Sequence, residues 1–432
     1  MKRRQFIRTA GATVAGIAAA PYILPSGSLF AATGNRRVGH VVFCMFAGGV
    51  RNIETVHMND GNLLPNLITG AGGISPDILG GMTALPAAAA QSLQTFGTVF
   101  KEFRYAQGPT GHFNGHTTAI TGQYTQVDLN LRERPEKPTV FELYRKHNNP
   151  ATSALNAWWV SNGLGPYPSL NYSNYPGYGI GFGANMIAAN SLVNADAYSV
   201  IGNTKNFTDP QLAKAAALRD FLDQQFKTLT PDSARLNTAL DETRLKLFIN
   251  SLYTKAFSGQ FNDPLQTGPG VMNGDLYNIA FAEEVITEFK PELLVVNLQG
   301  VDVCHSNFTE YCDNIRKSDY AVRHLWDKIQ ATPGMANDTV LIVAPEHGRN
   351  YDPNTLIDPY GRRAFDHTGD ASSREIFCLI AGPTSVVKQN QLISTNMGES
   401  IDIVPTIAWL LGFDSAIPSG LLPGSPLTAA FN

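Results

Sequence analysis

Four unbroken apolar runs punctuate the chain: "VGHVVFCMFAGGV" from Val38, "ELLVVNLQG" from Glu292, "TVLIVAPEHG" from Thr339 and "EIFCLIAGP" from Glu375. Each closes on glycine, proline or a polar residue. Runs with no alternation of polar and apolar positions fit strands buried on both faces, as in a parallel sheet covered by helices. Between the second and third runs, Tyr311, Ile315, Tyr320, Val322, Leu325, Trp326 and Ile329 approximate the spacing of one helix face. Strand, helix and strand in that order imply a right-handed crossover and a parallel sheet. Such sheets place ligand sites outside the carboxyl ends of their strands.

The middle of the chain reads differently. From Trp158 to Asn185 aromatics and glycines alternate without a regular period, which predicts an irregular loop region. Helices are expected over about 209–228 and 233–255, and residues 150–290 as a whole read as an aromatic and helical cap-like insertion over the sheet edge. Trp158, Trp159, Tyr167, Tyr172, Tyr175 and Tyr178 would there either stack on a planar or sugar ligand or form a packed aromatic cluster. The fold class is therefore α/β, a mostly parallel central sheet sandwiched by helices over residues 37–432, with that insertion.

Composition narrows the partners. At 432 residues and 43% hydrophobic content the chain can bury a large core. The balance of 32 Lys+Arg against 36 Asp+Glu is mildly acidic, with no basic run past the first residues, so nucleic acid is not an expected partner. The first residues, "MKRRQFIRTAGATVAGIAAAPYILPSGSLFAA", place Lys2, Arg3, Arg4 and Arg8 before a weakly apolar stretch without acids. Residues 1–32 read as an export signal, and Arg3-Arg4 resembles the twin-arginine type, with an ordinary secretory signal as the alternative. Periplasm or cell envelope is the implied location, and membrane association follows only if the signal stays uncleaved. Without this segment the charge is 28 − 36 = −8. Cys44, Cys304, Cys312 and Cys378 form no CxxC pair; Cys304 and Cys312 would bridge in an oxidising compartment or stay small buried side chains.

Three loops carry metal-type donors: Asp302 and His305 in "GVDVCHSNF", Glu346 and His347 in "APEHGRN", and His367 in "AFDHTGD". Carboxylates and imidazoles from separate loops are what a divalent ion needs, because adjacent residues cannot surround it. The expected cofactor is one or two divalent ions, zinc first, with manganese or calcium as alternatives. No glycine-rich dinucleotide loop, haem CxxCH or iron–sulfur cysteine set accompanies them, which leaves redox chemistry without a carrier. His40, His57, His147 and His324 fall outside these motifs and read as structural.

The motifs in order resemble the alkaline phosphatase superfamily, including its sulfatase and nucleotide pyrophosphatase/phosphodiesterase branches. The elements are "GGVRNIET", "LLPNLITG", "GPTGHFNGHTTAITGQY", "VDVCHSNFTEYCDNIRKSDYAV", "NDTVLIVAPEHGR" and "SIDIVPTIAWLLGF". The resemblance implies two metal positions, Asp302, His305 and His367 for the first and Glu346 with His347 for the second. Glu346 stands where the family has Asp, and the step from Asp302 to His305 is one residue shorter than usual. Two departures go further: the first-loop acid falls at Gly48, and the nucleophile position falls at His112. Glycine has no donor atom. His112 reads as a ligand of the second ion, as a nucleophile forming phosphohistidine, or as inert. As a ligand it completes a three-residue site able to lower the pKa of bound water.

Further expectations concern the substrate. Asn114, His116, Arg51 and Arg349 are candidates to bind an ester oxyanion, against helix capping for Asn114 and structural ion pairs for the arginines. Thr110, Thr117 and Thr118 are substitute hydroxyls if the alignment slips. Two functions follow: an exported metal-dependent hydrolase of a phosphate or sulfate ester of a small molecule or glycan, with an atypical site, or an inactive binding or scaffold protein of the same fold.

Overall fold

The computed structural model describes residues 36–70, 73–127, 134–148, 154–161, 170–188 and 238–432. The export signal, the helix expected over 209–228 and Tyr167 lie outside them. Eight strands form one sheet: β1 His40–Phe46, β2 Gly97–Arg104, β3 Ala157–Val160, β4 Asn185–Ile187, β5 Leu293–Leu298, β6 Thr339–Pro345, β7 Glu375–Ala381 and β8 Gln391–Glu399. Their spatial order is β4-β3-β5-β1-β6-β7-β2-β8. β1 lies between β5 and β6, parallel to both, with Phe43 opposite Val295 on one side and Ile342 on the other. Only β7 runs against its neighbours.

Each central strand buries both faces, and successive residues feed opposite layers. On one side Val42, Cys44, Phe46, Leu294, Val296, Leu341 and Val343 pack beneath α3 (Ala239–Phe257), α4 (Gly274–Phe289) and α5 (Phe308–Ala331). On the other Val41, Phe43, Met45, Leu293, Val295, Val340 and Ile342 meet α1 (His112–Thr121), α2 (Val140–His147) and α6 (Ile403–Leu411). The expected α/β sandwich is therefore present, and the helix after the second apolar run is α5.

Several expectations change or are decided between their alternatives. The stretch from Trp158 to Asn185 is not all loop: Trp158 and Trp159 sit in β3, fully buried, and β4 adds an edge strand. Within 150–290 the described residues thus extend the sheet, and α4 packs on it, so this segment is not simply a cap. Trp158 stacks on Phe289 at 4.9 Å and Trp159 meets Phe141 at 5.6 Å, so both indoles are core and not ligand platforms. The run at Glu375 is antiparallel, since an apolar run carries no information about its direction. All four cysteines are free and buried, so Cys304 and Cys312 are core thiols without a bridge. The second insertion helix begins later than expected, at Ala239, where Thr238 and Asp241 form a capping box.

Candidate metal centre

The carboxyl ends of β1, β5 and β6 open at one edge of the sheet, and each releases a loop into the same space. After β5 the chain turns through a short 3-10 helix, Gly300–His305. In that geometry residues three apart are eclipsed, so Asp302 and His305 point to the same side. The shortened spacing between them is thus matched to the turn that carries it. Asp275, in the first turn of α4, anchors this turn by accepting the N–H of Gln299 at 2.7 Å, that of Gly300 at 2.9 Å and the Ser318 hydroxyl at 3.0 Å. Burial pushes the Asp275 carboxyl up to about 6, against those hydrogen bonds.

β6 is central, and Glu346 and His347, which follow its last residue, form the floor of the site. Both residues are fully buried. The N–H of Gly48 donates to Glu346 Oε1 at 2.5 Å, His112 Nδ1 lies 2.7 Å from the same oxygen, and His116 Nδ1 pairs with Oε2. Burial alone would raise the Glu346 carboxyl, but the His116, His347 and His112 rings hold it well below the usual carboxylate range. The ring of His347 is fixed by its Nδ1, 2.7 Å from the carbonyl of Gly348.

His112 is the first residue of α1 and links floor to mouth. Its Nε2 lies 2.7 Å from Asp302 Oδ1 and 3.1 Å from His367 Nε2. His367 Nε2 is in turn 2.8 Å from His305 Nε2. The sequence-predicted donors Asp302, His305, Glu346, His347 and His367 therefore converge, and His112 joins them. They form two overlapping groups, His112, Asp302, His305 and His367, and His112, Glu346 and His347. Burial lowers the pKa of His112, yet Glu346 and Asp302 outweigh it and raise it to about 9. His367 is pushed strongly down, first by burial and then by His347, His112, Arg349 and His305. Imidazoles and carboxylates brought this close together are the donor types that hold a divalent ion.

The four residues read as oxyanion partners are occupied elsewhere. Arg51 pairs with Glu54 at 2.8 Å and lies 3.8 Å over the Phe365 ring. Arg349 donates to the carbonyls of Gly48, Gly49 and Phe365 and to Asp302 Oδ1 at 3.1 Å, fastening the three loops together. Asn114 donates to Thr125 Oγ1 and the Val127 carbonyl, and His116 Nε2 meets Asn297 Oδ1 at 3.0 Å. Of the two roles the sequence allows these residues, the hydrogen bonds match the structural one for Arg51, Arg349 and Asn114. The substitute hydroxyls are no closer to a role: Thr110 donates to the His367 carbonyl, and Thr117 and Thr118 are buried on α1.

One partner escaped the sequence reading. Asp366 Oδ1 lies 2.6 Å from His305 Nδ1 and orients that ring, and its adjacency to His367 was the available signal.

No protein-family model matches the chain, and no curated protein does. Among solved structures, the chain is similar to a protein of the alkaline phosphatase superfamily from Vibrio parahaemolyticus, with 15% identity over 94% of this chain and 74% of that one and a TM-score of 0.43. It is similar also to the alkaline phosphatase PafA, with 12% identity over 92% and 100% and a TM-score of 0.49. A third is the PsFucS1 sulfatase from Pseudoalteromonas sp., with 12% identity over 90% and 70% and a TM-score of 0.44. Scores at this level add no weight to the geometry.

Proposed function

We propose that the chain is an exported, metal-dependent hydrolase of a phosphate or sulfate ester, acting on a small molecule or a glycan in the periplasm or cell envelope. The observation that carries this reading is the convergence of His112, Asp302, His305 and His367 in a cluster whose mouth is open, with the Asp302 side chain 41% and that of His305 38% exposed. A closed cluster would serve structure; an open one admits a ligand. A divalent ion held by these residues supplies Lewis acidity at an ester oxygen and lowers the pKa of water. In this reading water is the nucleophile. It adds to phosphorus or sulfur, the bond to the leaving oxygen breaks, and the alcohol departs with a proton.

The chain's own residues prepare that chemistry. Asp302 receives Arg349 on Oδ1, and the neighbouring His112, Arg349 and His305 outweigh its burial and keep it ionised. Asp366 turns His305 so that Nε2 faces the cluster. His367, held neutral, keeps an available lone pair.

A second reading, a protein that binds an ion without turnover, draws support from the inward commitment of Arg51, Asn114 and His116, which leaves few donors for an ester oxyanion. One screen separates the two. Purified protein loaded with Zn²⁺, Mn²⁺ or Ca²⁺ is assayed on chromogenic phosphate monoesters, phosphate diesters and sulfate esters. Turnover abolished by His305→Ala supports the hydrolase; metal-loaded protein inert on all of them overturns it.

A further inference from the structure

We propose that this centre holds one ion and not two, with His112 as its fourth ligand through Nε2 and Glu346 as the carboxylate that orients His112 from behind. The inference rests on reading the cluster as a metal site, and it is independent of hydrolysis.

The hydrogen-bond directions assign the donor atoms. His347 Nδ1 donates to the Gly348 carbonyl, so its Nε2 is an acceptor. His112 Nδ1 therefore faces two acceptors, Glu346 Oε1 at 2.7 Å and His347 Nε2 at 3.3 Å, and must carry a hydrogen. His112 Nε2, 2.7 Å from Asp302 Oδ1 and 3.1 Å from His367 Nε2, is the nitrogen turned to the upper group, and it binds an ion by giving up the proton it shares with Asp302. By the same rule His305 donates through Nδ1 to Asp366 and turns Nε2 inward. Three Nε2 atoms and Asp302 Oδ1 then converge, with neighbouring separations of 2.7, 2.8, 3.1 and 3.5 Å. A tetrahedral ion bound at about 2.0–2.1 Å sets its ligands roughly 3.3 Å apart. The four atoms already sit near that spacing.

The lower group is the poorer berth. Glu346 Oε1 already accepts from the Gly48 N–H and faces His112 Nδ1, and both Glu346 and His347 are fully buried; Glu346 Oε2, beside His116 Nδ1 but without a hydrogen-bond partner, is the one acceptor there left unengaged. A second ion there would have to displace the His112 proton. No acid can be added from the β1 loop, because a Cβ on Gly48 would lie 2.5 Å from the backbone nitrogen of Asp302. A carboxylate behind a metal-binding histidine is a familiar device for fixing tautomer and raising basicity. Glu346 on His112 and Asp366 on His305 are two instances in one site.

The test is zinc titration of the chelator-stripped full chain by calorimetry, with bound metal counted by elemental analysis. Wild type is expected to take up one equivalent. Glu346→Gln and Asp366→Asn are each expected to keep one equivalent at about 10–100-fold weaker affinity. His347→Ala is expected to keep one equivalent with affinity changed less than about tenfold. Two equivalents in wild type, or loss of an equivalent in His347→Ala, overturns the proposal. Should a variant fail to fold, wild type with Co²⁺ still decides: saturation of the visible bands of a four-coordinate ion at one equivalent supports it, and a second absorbing equivalent overturns it. Absence of any binding sinks this proposal and the hydrolase together, whereas one equivalent without turnover sinks the hydrolase alone.

Discussion

Gly48 shows how a single backbone position shapes the site. Its φ is +129°, a value open to glycine and strained for any other residue, and its N–H reaches Glu346. Gly48→Ala is expected to lower stability by about 1–3 kcal/mol, read as a fall in the chemical-denaturation midpoint, because the new methyl meets the Asp302 backbone. Gly48→Asp is expected to do the same without adding a ligand. A different buried residue, Glu54, supplies a pH dependence. Burial raises its carboxyl to about 7 despite the Arg51 partner. A group whose folded pKa is raised contributes stability that is complete below its unfolded value, about 4.5, and lost as pH rises through about 7. Denaturant midpoints of wild type and Glu54→Gln measured from pH 4 to 8 should therefore diverge. The variant is expected to gain on wild type by an amount on the order of 2–3 kcal/mol across that window, from whatever offset the unpaired Arg51 sets. Parallel curves would show that Glu54 titrates alike in both states.

At the scale of elements, α1 is the piece whose placement decides the centre. It begins at His112, and Gly115 lets it lie directly on Glu346: a Cβ there would come within 3.1 Å of the Glu346 Cβ and carbonyl oxygen. In an exposed helix, glycine to alanine gains up to about 1 kcal/mol. Here Glu346 is held on three sides and cannot give way, so the helix must move and carry His112 with it. Gly115→Ala is expected to weaken zinc binding about tenfold or more with little change in melting temperature, and unchanged affinity would mean that the helix accommodates the methyl. The same scale explains what could be read beforehand. β1, β5 and β6 were legible because unbroken apolar runs have few other uses, and the donors following β5 and β6 were legible because a parallel sheet directs its loops to one edge. β3 was not, since four residues around a Trp pair beside a glycine-rich stretch carry no period. Which nitrogen of His112 faces Glu346 was not legible either, because packing and not residue type fixes it.

For the whole molecule, the question is how far the fold depends on the ion. The sheet is supported by two apolar layers that do not involve the cluster, and Arg349 ties the loops after β1, β5 and β6 through carbonyls, which needs no metal. The acids of the site also have protein partners: Asp302 has His112 and Arg349, Glu346 has His112 and His116, and Asp366 has His305. Stripping the ion therefore removes binding energy without leaving unpaired charges in a closed interior, where the cost would be severe. The metal-free chain is expected to keep its native circular dichroism and its cooperative thermal transition. In the one-ion proposal, zinc adds only the mass-action term, about 2.7 kcal/mol when free zinc stands at a hundred times its dissociation constant. Scanning calorimetry with added chelator and with graded zinc should show a melting temperature that climbs with the logarithm of free zinc above a folded baseline. Loss of the transition on chelation would instead make this sheet's carboxyl edge dependent on its metal, and would shift the role of the cluster from chemistry toward architecture.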